Sequence, residues 1–402
     1  MAPTTFSRAR LIRMRDTLSG HVERGQVPGL VSLVSRRGEV HVNAMGSLAL
    51  HGEPVRRDSI FRISSMSKAV TAVAAMILVE ECELRLDDPV EQWLPELANR
   101  RVLRRFDSPL DDTVPARRSI TVRDLLTFRL GMGLGLAPPG STPIQQAMQE
   151  MQLGQGLPAP ARVVALEEWI RRLGMLPLMH QPGERWMYHT GSDVLGVLID
   201  RAADQPFEAF LRERIFEPLG MKDTGFFVPD SKIDRFATSY LTDATTGALS
   251  LHDEAEGGQW SRRPAFAGGG EGLVSTADDF LAFSLMLMNK GRHGANRILS
   301  RSSVEAMVTD QLTLEQKAAT AWPGGYFDNH GWGFGVGVCT RRTDPAEPEG
   351  CFGWDGGLGT AWRCDPQEDL VTVLMTQAVW ASPAVPAVVQ DFRTLAYAAI
   401  DD

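Results

Sequence analysis

The hydrophobic and polar positions near the N-terminus follow two different periods. Between residues 7 and 24, apolar side chains recur every three or four positions among arginines, which predicts an amphipathic helix. The runs 30–35 and 39–44 alternate with a period of two on either side of a glycine turn, so they predict a β-hairpin. A short apolar run at 60–63 predicts a strand that leads into a helix beginning near Ser65.

The middle of the chain is mostly helical by the same criterion. Thr121 and Asp124 predict a capped helix start, with the threonine as cap and the aspartate at the third helical position. Further helices are predicted over 191–203 and 207–216. The stretch 131–160 is rich in Gly, Pro, Met and Gln, and it predicts a loop or irregular segment that is long enough to be functional. Its methionines either form an apolar rim of the site or belong to the core.

Strand patterns return after the three glycines at 268–270. Ser275 or Thr276 is expected to cap a helix that has aspartates in its first turn. The segment 331–338 alternates with a period of two and predicts a strand, and the apolar run 370–375 predicts a buried strand. A last helix is predicted over 383–399.

These elements predict an α/β (α+β) fold in which helices flank an antiparallel sheet and a mostly helical lobe is inserted. The sheet domain is expected to combine 1–90 with 265–402, and the lobe to span 91–264. We expect the active site in the cleft between them, because clefts between lobes are common ligand sites. A chain of 402 residues is long enough to bury the core that such a fold requires.

Composition narrows the classes of function. The net charge is −9 without a run of like charges, which argues against nucleic acid or an anionic membrane as a partner. No apolar stretch reaches the ~18 residues that span a bilayer, and the N-terminal residues lack an apolar signal core, so cytoplasm is the expected location. The cysteines form no CxxC pair and the histidines no HExxH, so neither a metal nor a cofactor is expected. Composition leaves the oligomeric state open.

Lysine is rare in this chain, and one lysine stands in a chemically suggestive place. Five of the 41 cationic residues are lysines, and Lys68 follows Ser65 by three positions at the start of a long apolar run. Positions i and i+3 of a helix share one face, so the amine and the hydroxyl can meet. A buried lysine can lose its proton near neutral pH, whereas an arginine cannot. The pair therefore suggests a base beside a serine nucleophile. Ser64 is a rival nucleophile, and a helix cap followed by a solvated lysine is the alternative interpretation.

Two further segments carry candidate chemistry. Tyr188 lies in a glycine-bounded loop before a helix, where it is either a core aromatic residue or a proton shuttle beside an ammonium group. The segment 353–360 contains four glycines, which indicate either a tight bend or a strand that a ligand approaches closely. Such an edge can offer a main-chain N–H to an oxyanion.

In this order, the motif at 65–68, Tyr188 and the segment 354–356 resemble the three motifs of serine β-lactamases and penicillin-binding proteins. The stretches 84–90, 120–127 and 216–224 also resemble that superfamily. The class C-like branch, with its family VIII carboxylesterases, D-amino-acid peptidases and related amidases, is the most similar, and the resemblance covers about residues 8–399.

The resemblance implies a role for each matching position. Ser65 is the expected nucleophile, Lys68 and Tyr188 are the expected acid–base pair, and the backbone N–H groups of Ser65 and Gly357 form the expected oxyanion hole. Four more residues are expected to bind substrate: Trp354, Asp355, Gly356 and Thr190.

Two departures from the family pattern bear on the substrate. Tyr188 is followed by His-Thr, where the family has Tyr-x-Asn or Tyr-x-Ser, and the third motif begins with Trp354, where the family has a lysine or histidine. The family's cation holds a substrate carboxylate, and tryptophan offers only bulk and one N–H. We therefore expect a small, neutral, fairly apolar ester as substrate.

Four other functions stay open from the sequence. Amide or D-amino-acid peptide hydrolysis and weak β-lactamase activity would be separated from esterase activity by a substrate panel. An acyltransferase would divert product to an added alcohol or amine. A non-catalytic binding or scaffold protein of the same fold would leave Ser65 unlabelled by a fluorophosphonate probe.

Overall fold

The structure is a computed structural model that describes residues 5–134, 140–154, 156–320 and 322–401. Across these ranges, no helix combines the length and apolar character needed to cross a membrane. The strands are β1 (Gly29–Arg36), β2 (Glu39–Gly46), β3 (Phe61–Arg62), β4 (Arg101–Leu103), β5 (Thr113–Pro115), β6 (Ser239–Thr242), β7 (Leu249–Asp253), β8 (Val274–Ser275), β9 (Arg292–His293), β10 (Asn296–Arg297), β11 (His330–Trp332), β12 (Gly337–Cys339), β13 (Phe352–Gly356), β14 (Thr360–Asp365), β15 (Leu370–Thr376) and β16 (Ala378–Val379). The α-helices are α1 (Arg8–Glu23), α2 (Ser67–Glu80), α3 (Val122–Leu126), α4 (Pro143–Glu150), α5 (Leu166–Met175), α6 (Thr190–Ala202), α7 (Phe207–Leu211), α8 (Glu217–Leu219), α9 (Ala277–Met288), α10 (Arg301–Met307), α11 (Leu314–Ala318) and α12 (Ala387–Ala398).

A seven-stranded antiparallel sheet joins the two ends of the chain. Its strand order is β11-β12-β13-β14-β15-β1-β2, and the pairing of Leu33 with Val373 aligns an N-terminal strand with a C-terminal one. Both β1 and β15 are buried along their whole length, because helices cover the two faces of the sheet. The predicted mixed fold with a large antiparallel sheet is confirmed.

Helices from the two chain ends cover one face of the sheet. Met14 and Leu18 of α1 belong to one apolar cluster with Val389 and Phe392 of α12. The opposite face packs against α9, where Phe283 contacts the ring of Trp362. Helix α2 lies in this second, larger core, and it is buried over twelve of its fourteen residues. A helix buried on nearly all sides is therefore the element that presents Lys68.

The predicted division into a sheet domain and a helical lobe stays a prediction. Helices α3 to α8 do lie within 91–264. The same range also supplies β6 and β7, and β6 pairs in parallel with β16 from the C-terminal part of the chain. An isolated bridge further joins Ile60 to Phe236. Backbone pairing thus connects the two predicted units directly.

Two predicted segments differ in the structure. The stretch 131–160 contains α4, which begins with a capping Thr142 and Pro143 in the first helical position and buries Ile144 and Met148; positions 135–139 and 155 lie outside the described residues. The sequence interpretation did not recognise that a capping threonine followed by proline is typical of a helix start. The segment 331–338 is not one strand but the two short strands β11 and β12 with a turn between them, because Gly335 adopts a φ of +73°.

Several local predictions are confirmed. Thr121 and Asp124 form a reciprocal capping box at the start of α3. Thr276, not Ser275, caps α9 by accepting a hydrogen bond from the N–H of Asp279. The predicted hairpin is the pair β1–β2, whose turn at 37–38 has positive φ at both residues.

Candidate active site

Ser65 lies in a tight turn that opens helix α2. Ser64 has a φ of +45°, and residues 64–66 form one 3₁₀ turn before the helix. Lys68 is fully buried in the first turn of α2, and its Nζ lies 3.0 Å from Ser65 Oγ. The structure thus brings the predicted nucleophile and base into hydrogen-bonding contact.

The loop 268–273 fixes the start of α2 from the other side. Leu273 donates its N–H to Ser67 Oγ at 3.2 Å, and Thr71 Oγ1 donates to the carbonyl oxygen of Gly269 at 2.7 Å. A Cβ at Gly269 would collide with the carbonyl oxygen of Ser192, so this close approach requires glycine. Two hydrogen bonds therefore hold the loop against the helix turn that carries Lys68.

Lys68 has two more polar neighbours. Its Nζ donates to the carbonyl oxygen of Gly270 at 2.6 Å and lies 3.3 Å from His189 Nδ1. Burial lowers the pKa of Lys68 to about 8, although the charges of Glu271 and Asp193 oppose that shift. A larger fraction of this amine is therefore unprotonated near neutral pH than in an exposed lysine, and an unprotonated amine can act as a general base.

Tyr188 lies on the other side of the amine. Lys68 Nζ is 4.7 Å from the centre of the tyrosine ring, and Trp354 Nε1 donates to the Tyr188 hydroxyl at 2.6 Å. Burial raises the pKa of Tyr188 well above its ordinary value, and hydrogen bonds with Ser65 and Trp354 only partly offset the shift. Tyr188 is therefore a protonated phenol near neutral pH, suited to donating a proton.

Aromatic rings surround Tyr188 on several sides. Trp186 stacks on it with ring centres 5.5 Å apart, and Trp322 meets it edge-on at 5.0 Å. The aromatic cluster around Tyr188 comprises Phe128, Trp186, Trp322, Tyr326, Phe327, Trp332 and Trp354. This cluster limits the access of water to the phenol and gives the site an apolar wall.

The end of β13 lies directly against the nucleophile turn. A Cβ at Gly356 would collide with the carbonyl oxygen of Ile63, so only glycine permits this approach. Thr360 Oγ1 also donates to that oxygen at 3.2 Å. Among the residues that the structure describes, neither the N–H of Ser65 nor that of Gly357 donates a hydrogen bond. Backbone N–H groups near the protein interior are rarely left unpaired, and these two donors are available to an oxyanion.

Two predicted substrate-binding residues do not join the others. Asp355 lies on the opposite side of β13 from Trp354, and Arg363 and Arg393 bind its carboxylate at 2.6 to 3.0 Å. Thr190 is buried as the first residue of α6. Within the described ranges, its side chain makes no hydrogen bond to Ser65, Lys68 or Tyr188. The side chain of Trp354 does reach the site, but its indole N–H already donates to the hydroxyl of Tyr188.

Sequence reasoning missed four residues around Lys68. They are His189, Asp193, Gly270 and Glu271. Asp193 Oδ1 accepts the N–H of Gly270 at 2.8 Å, while its Oδ2 lies 3.1 Å from His189 Nε2. Burial raises the pKa of Asp193, but His189, the Gly270 N–H and Lys68 outweigh that effect and lower it overall. Burial raises the pKa of Glu271, and that carboxyl lies 3.7 Å from His189 Nε2. The sequence features that could have pointed to these residues were the histidine in the second motif and the glycines at 268–270.

The chain is similar in sequence to known proteins. The sequence model of the family described as Beta-lactamase matches residues 14–386. Protein Rv1367c of Mycobacterium tuberculosis (strain ATCC 25618 / H37Rv) is 39% identical over 365 residues, which cover 88% of this chain and 87% of that protein. Esterase EstB of Burkholderia gladioli is 30% identical over 409 residues, or 96% of this chain and 95% of EstB.

The fold is also similar to that of solved enzymes. The structure of EstCE1, described as a hydrolase with promiscuous acyltransferase activity, superimposes with a TM-score of 0.78 at 26% identity. The superposition covers 97% of this chain and 99% of that one. The similarity therefore extends over both the sheet and the helices around it.

Proposed function

Because the chain belongs to the beta-lactamase family, we propose that it is a serine hydrolase that cleaves small, neutral esters through an acyl-enzyme on Ser65. The observation that carries the proposal is the 3.0 Å contact between Ser65 Oγ and a fully buried Lys68 amine. EstB is named an esterase and EstCE1 a hydrolase, and this agrees with the proposed reaction.

In the acylation step, Ser65 Oγ attacks the ester carbonyl while its proton passes to Lys68 Nζ. The N–H groups of Ser65 and Gly357 stabilise the oxyanion of the tetrahedral intermediate. Tyr188, whose pKa burial raises, donates its proton to the departing alkoxide and regains one from Lys68. The C–O bond to the alcohol breaks, and the acyl group stays on Ser65.

In the deacylation step, water attacks the acyl-enzyme carbonyl. Lys68 takes a proton from that water, and the same two N–H groups hold the second oxyanion. Collapse of the intermediate breaks the bond to Ser65 Oγ, which recovers its proton from the Lys68 ammonium. The acid leaves, and the enzyme returns to its starting protonation state.

The aromatic cluster supports a neutral, apolar substrate. The third motif presents Trp354 where the related families have a cation, and the indole N–H of that residue already binds Tyr188. A substrate carboxylate would therefore meet an apolar ring and no charge-assisted partner. Short aliphatic or aromatic esters fit this wall best.

Replacement of the nucleophile tests the proposal. Ser65→Ala should abolish hydrolysis of short p-nitrophenyl esters and labelling by a fluorophosphonate probe, because among the residues that the structure describes no other hydroxyl forms a hydrogen bond with Lys68 Nζ. Ser64→Ala is the matched control and should keep both, since Ser64 was the rival nucleophile. Full activity in Ser65→Ala, or absence of any labelling of the wild type, would refute the assignment.

Acyl transfer to an alcohol is the second candidate, because EstCE1 is described as having promiscuous acyltransferase activity. The same acyl-enzyme would serve, with an alcohol in place of water. Hydrolysis in the presence of a primary alcohol should then yield a new ester at the expense of the free acid. Free acid alone at high alcohol concentration would exclude this activity.

A further inference from the structure

Among the described residues, the amine of Lys68 has three polar neighbours at hydrogen-bonding distance. They are Ser65 Oγ at 3.0 Å, the carbonyl oxygen of Gly270 at 2.6 Å and His189 Nδ1 at 3.3 Å. An unprotonated amine has two N–H groups and one lone pair. If the N–H groups donate to Gly270 and His189, the lone pair is left for the proton of Ser65. We propose that His189 is a positioning residue that aims the Lys68 lone pair at Ser65. This inference rests on the proposed function.

A closed ring of contacts sets the orientation of His189. Its Nε2 lies 3.1 Å from Asp193 Oδ2, so Nε2 carries the proton and Nδ1 keeps the lone pair that faces Lys68. Asp193 Oδ1 accepts the N–H of Gly270, whose own carbonyl accepts from Lys68. Lys68, Gly270, Asp193 and His189 therefore hold one another in place. The ring is buried, with 6% of the His189 side chain exposed.

Protonation of His189 would invert this arrangement. An imidazolium at 3.3 Å would donate its Nδ1–H to the amine and occupy the lone pair that Ser65 needs. The charged and titratable groups facing His189 are Lys68 from α2, Asp193 from α6, Glu271 from the loop 268–273 and the neighbouring phenol of Tyr188. The proposed role therefore requires Nδ1 of His189 to accept, and not to donate, at its contact with Lys68.

The backbone at His189 identifies the informative substitutions. The residue has a φ of +85° and a ψ of −69°, a conformation that side chains other than glycine rarely adopt. Strain of this kind persists only where the surroundings enforce it. Glycine relieves the strain and removes the imidazole. Asparagine tolerates positive φ and retains a side-chain acceptor near the position of Nδ1.

The test compares His189→Gly with His189→Asn in the full chain. Glycine should lower kcat of p-nitrophenyl ester hydrolysis by ~10²-fold with little change in KM, since the base is misaligned while the substrate wall is intact. Asparagine should restore kcat to within ~10-fold of the wild type. Added imidazole should partly rescue kcat of the glycine variant, because it can occupy the space that the side chain leaves. A glycine variant as active as the wild type, or an asparagine variant as inactive as the glycine variant, would overturn the proposal.

A second measurement does not depend on turnover. With five lysines in the chain, ¹³C-lysine NMR gives few signals, and Lys68→Arg identifies the one from Lys68. Its pH titration should change between wild type and His189→Gly, while the other four signals stay the same. An altered Lys68 titration in a protein without any esterase activity would refute the proposed function but would still support the contact between His189 and Lys68. An unchanged titration would refute the role of His189, whatever the enzyme hydrolyses.

Discussion

Strand β13 separates two largely buried charged clusters that differ in how their charges are paired. The back cluster, on the side of the strand away from Ser65, consists of Glu347, Asp355, Arg363 and Arg393. Both arginines contact both carboxylates at 2.6 to 3.1 Å. Two positive and two negative charges therefore neutralise one another without a shared proton. The arginines hold the pKa of each carboxyl below its usual range, although burial alone would raise it.

The front cluster comprises Lys68, His189, Asp193 and Glu271, and its pairing is incomplete. Lys68 contacts a serine, a carbonyl and an imidazole, but neither carboxylate directly. Burial therefore lowers the pKa of Lys68 to about 8 and raises that of Glu271, which is the opposite of what the direct ion pairs do in the back cluster. Direct ion pairs keep the groups of the back cluster in their charged forms. Without such pairs, burial shifts the pKa values of the front cluster, as is typical of catalytic groups.

The largest effect is expected from Lys68→Arg in the front cluster. Arginine keeps the positive charge but cannot act as a base, so kcat/KM for p-nitrophenyl esters should fall by ~10³ to 10⁴-fold. Lys222→Arg, at an exposed position, is the matched control and should leave the rate unchanged. If the arginine enzyme retains activity, the front cluster works by charge alone and the contrast with the back cluster disappears.

The next largest effect is expected in the back cluster, where a substitution should lower the stability of the protein. Arg393→Met leaves the buried carboxylates with one cation, and breaking a buried pair in this way costs about 3–5 kcal/mol in the free energy of unfolding. Arg104→Met breaks an exposed pair with Asp112 and should cost less than about 1 kcal/mol. Urea unfolding measures both values. Equal losses in the two variants would show that the back cluster contributes no more to stability than an exposed ion pair does.

The two clusters should respond to pH in opposite ranges. The folded-state pKa of Lys68 is about 8, below the ordinary lysine value of 10.5, so the unfolded chain binds more protons between these values. Relative to Lys68→Met, wild-type stability should therefore rise with pH from about 8, by ~1.4 kcal/mol per pH unit. The carboxyls of the back cluster contribute stability that is lost only as pH falls below their ordinary range. Urea titrations across pH that reveal no rise above pH 8 would contradict the burial of a titrating lysine.

The smallest effect concerns Trp354, the residue of β13 that faces the front cluster. Trp354→Phe removes the N–H donated to the Tyr188 hydroxyl and should lower kcat by about 5- to 10-fold, as expected for one hydrogen bond. Trp332→Phe is the matched control, because its Nε1 has no partner among the described residues of this aromatic cluster. Equal effects on kcat would show that bulk, rather than the hydrogen bond, matters at Trp354.

The clusters also show which site residues could be predicted from the sequence. The positions of Ser65 and Lys68 followed from helical spacing, and Tyr188 from its place in the motif order. Asp355 was expected at the site because its motif matched. Adjacent residues of a strand point to opposite faces, however, so the side chains of Trp354 and Asp355 cannot both face Ser65. Periodicity applied within the motif would have revealed this.

Other features have no local signal. His189 faces Lys68 because the backbone takes a positive φ there, and Gly270 lies 202 positions from the lysine that it contacts. The turn in the predicted strand 331–338 has a similar origin. A Cβ at Gly335 would press on the backbone of Lys68, so tertiary packing of α2, and not the alternating pattern, sets that bend.

The contact between Gly356 and Ile63 has a consequence for engineering the substrate range. The two proposed oxyanion donors belong to chain segments almost 300 residues apart in sequence, and this contact, together with the Thr360 hydrogen bond to Ile63, brings their backbones to touching distance. Gly356 acts as a spacer between the two segments: any larger residue at 356 would collide with the Ile63 carbonyl and push the proposed donors apart. Libraries aimed at new esters gain most by varying the aromatic wall at 322–327 while this spacer stays glycine.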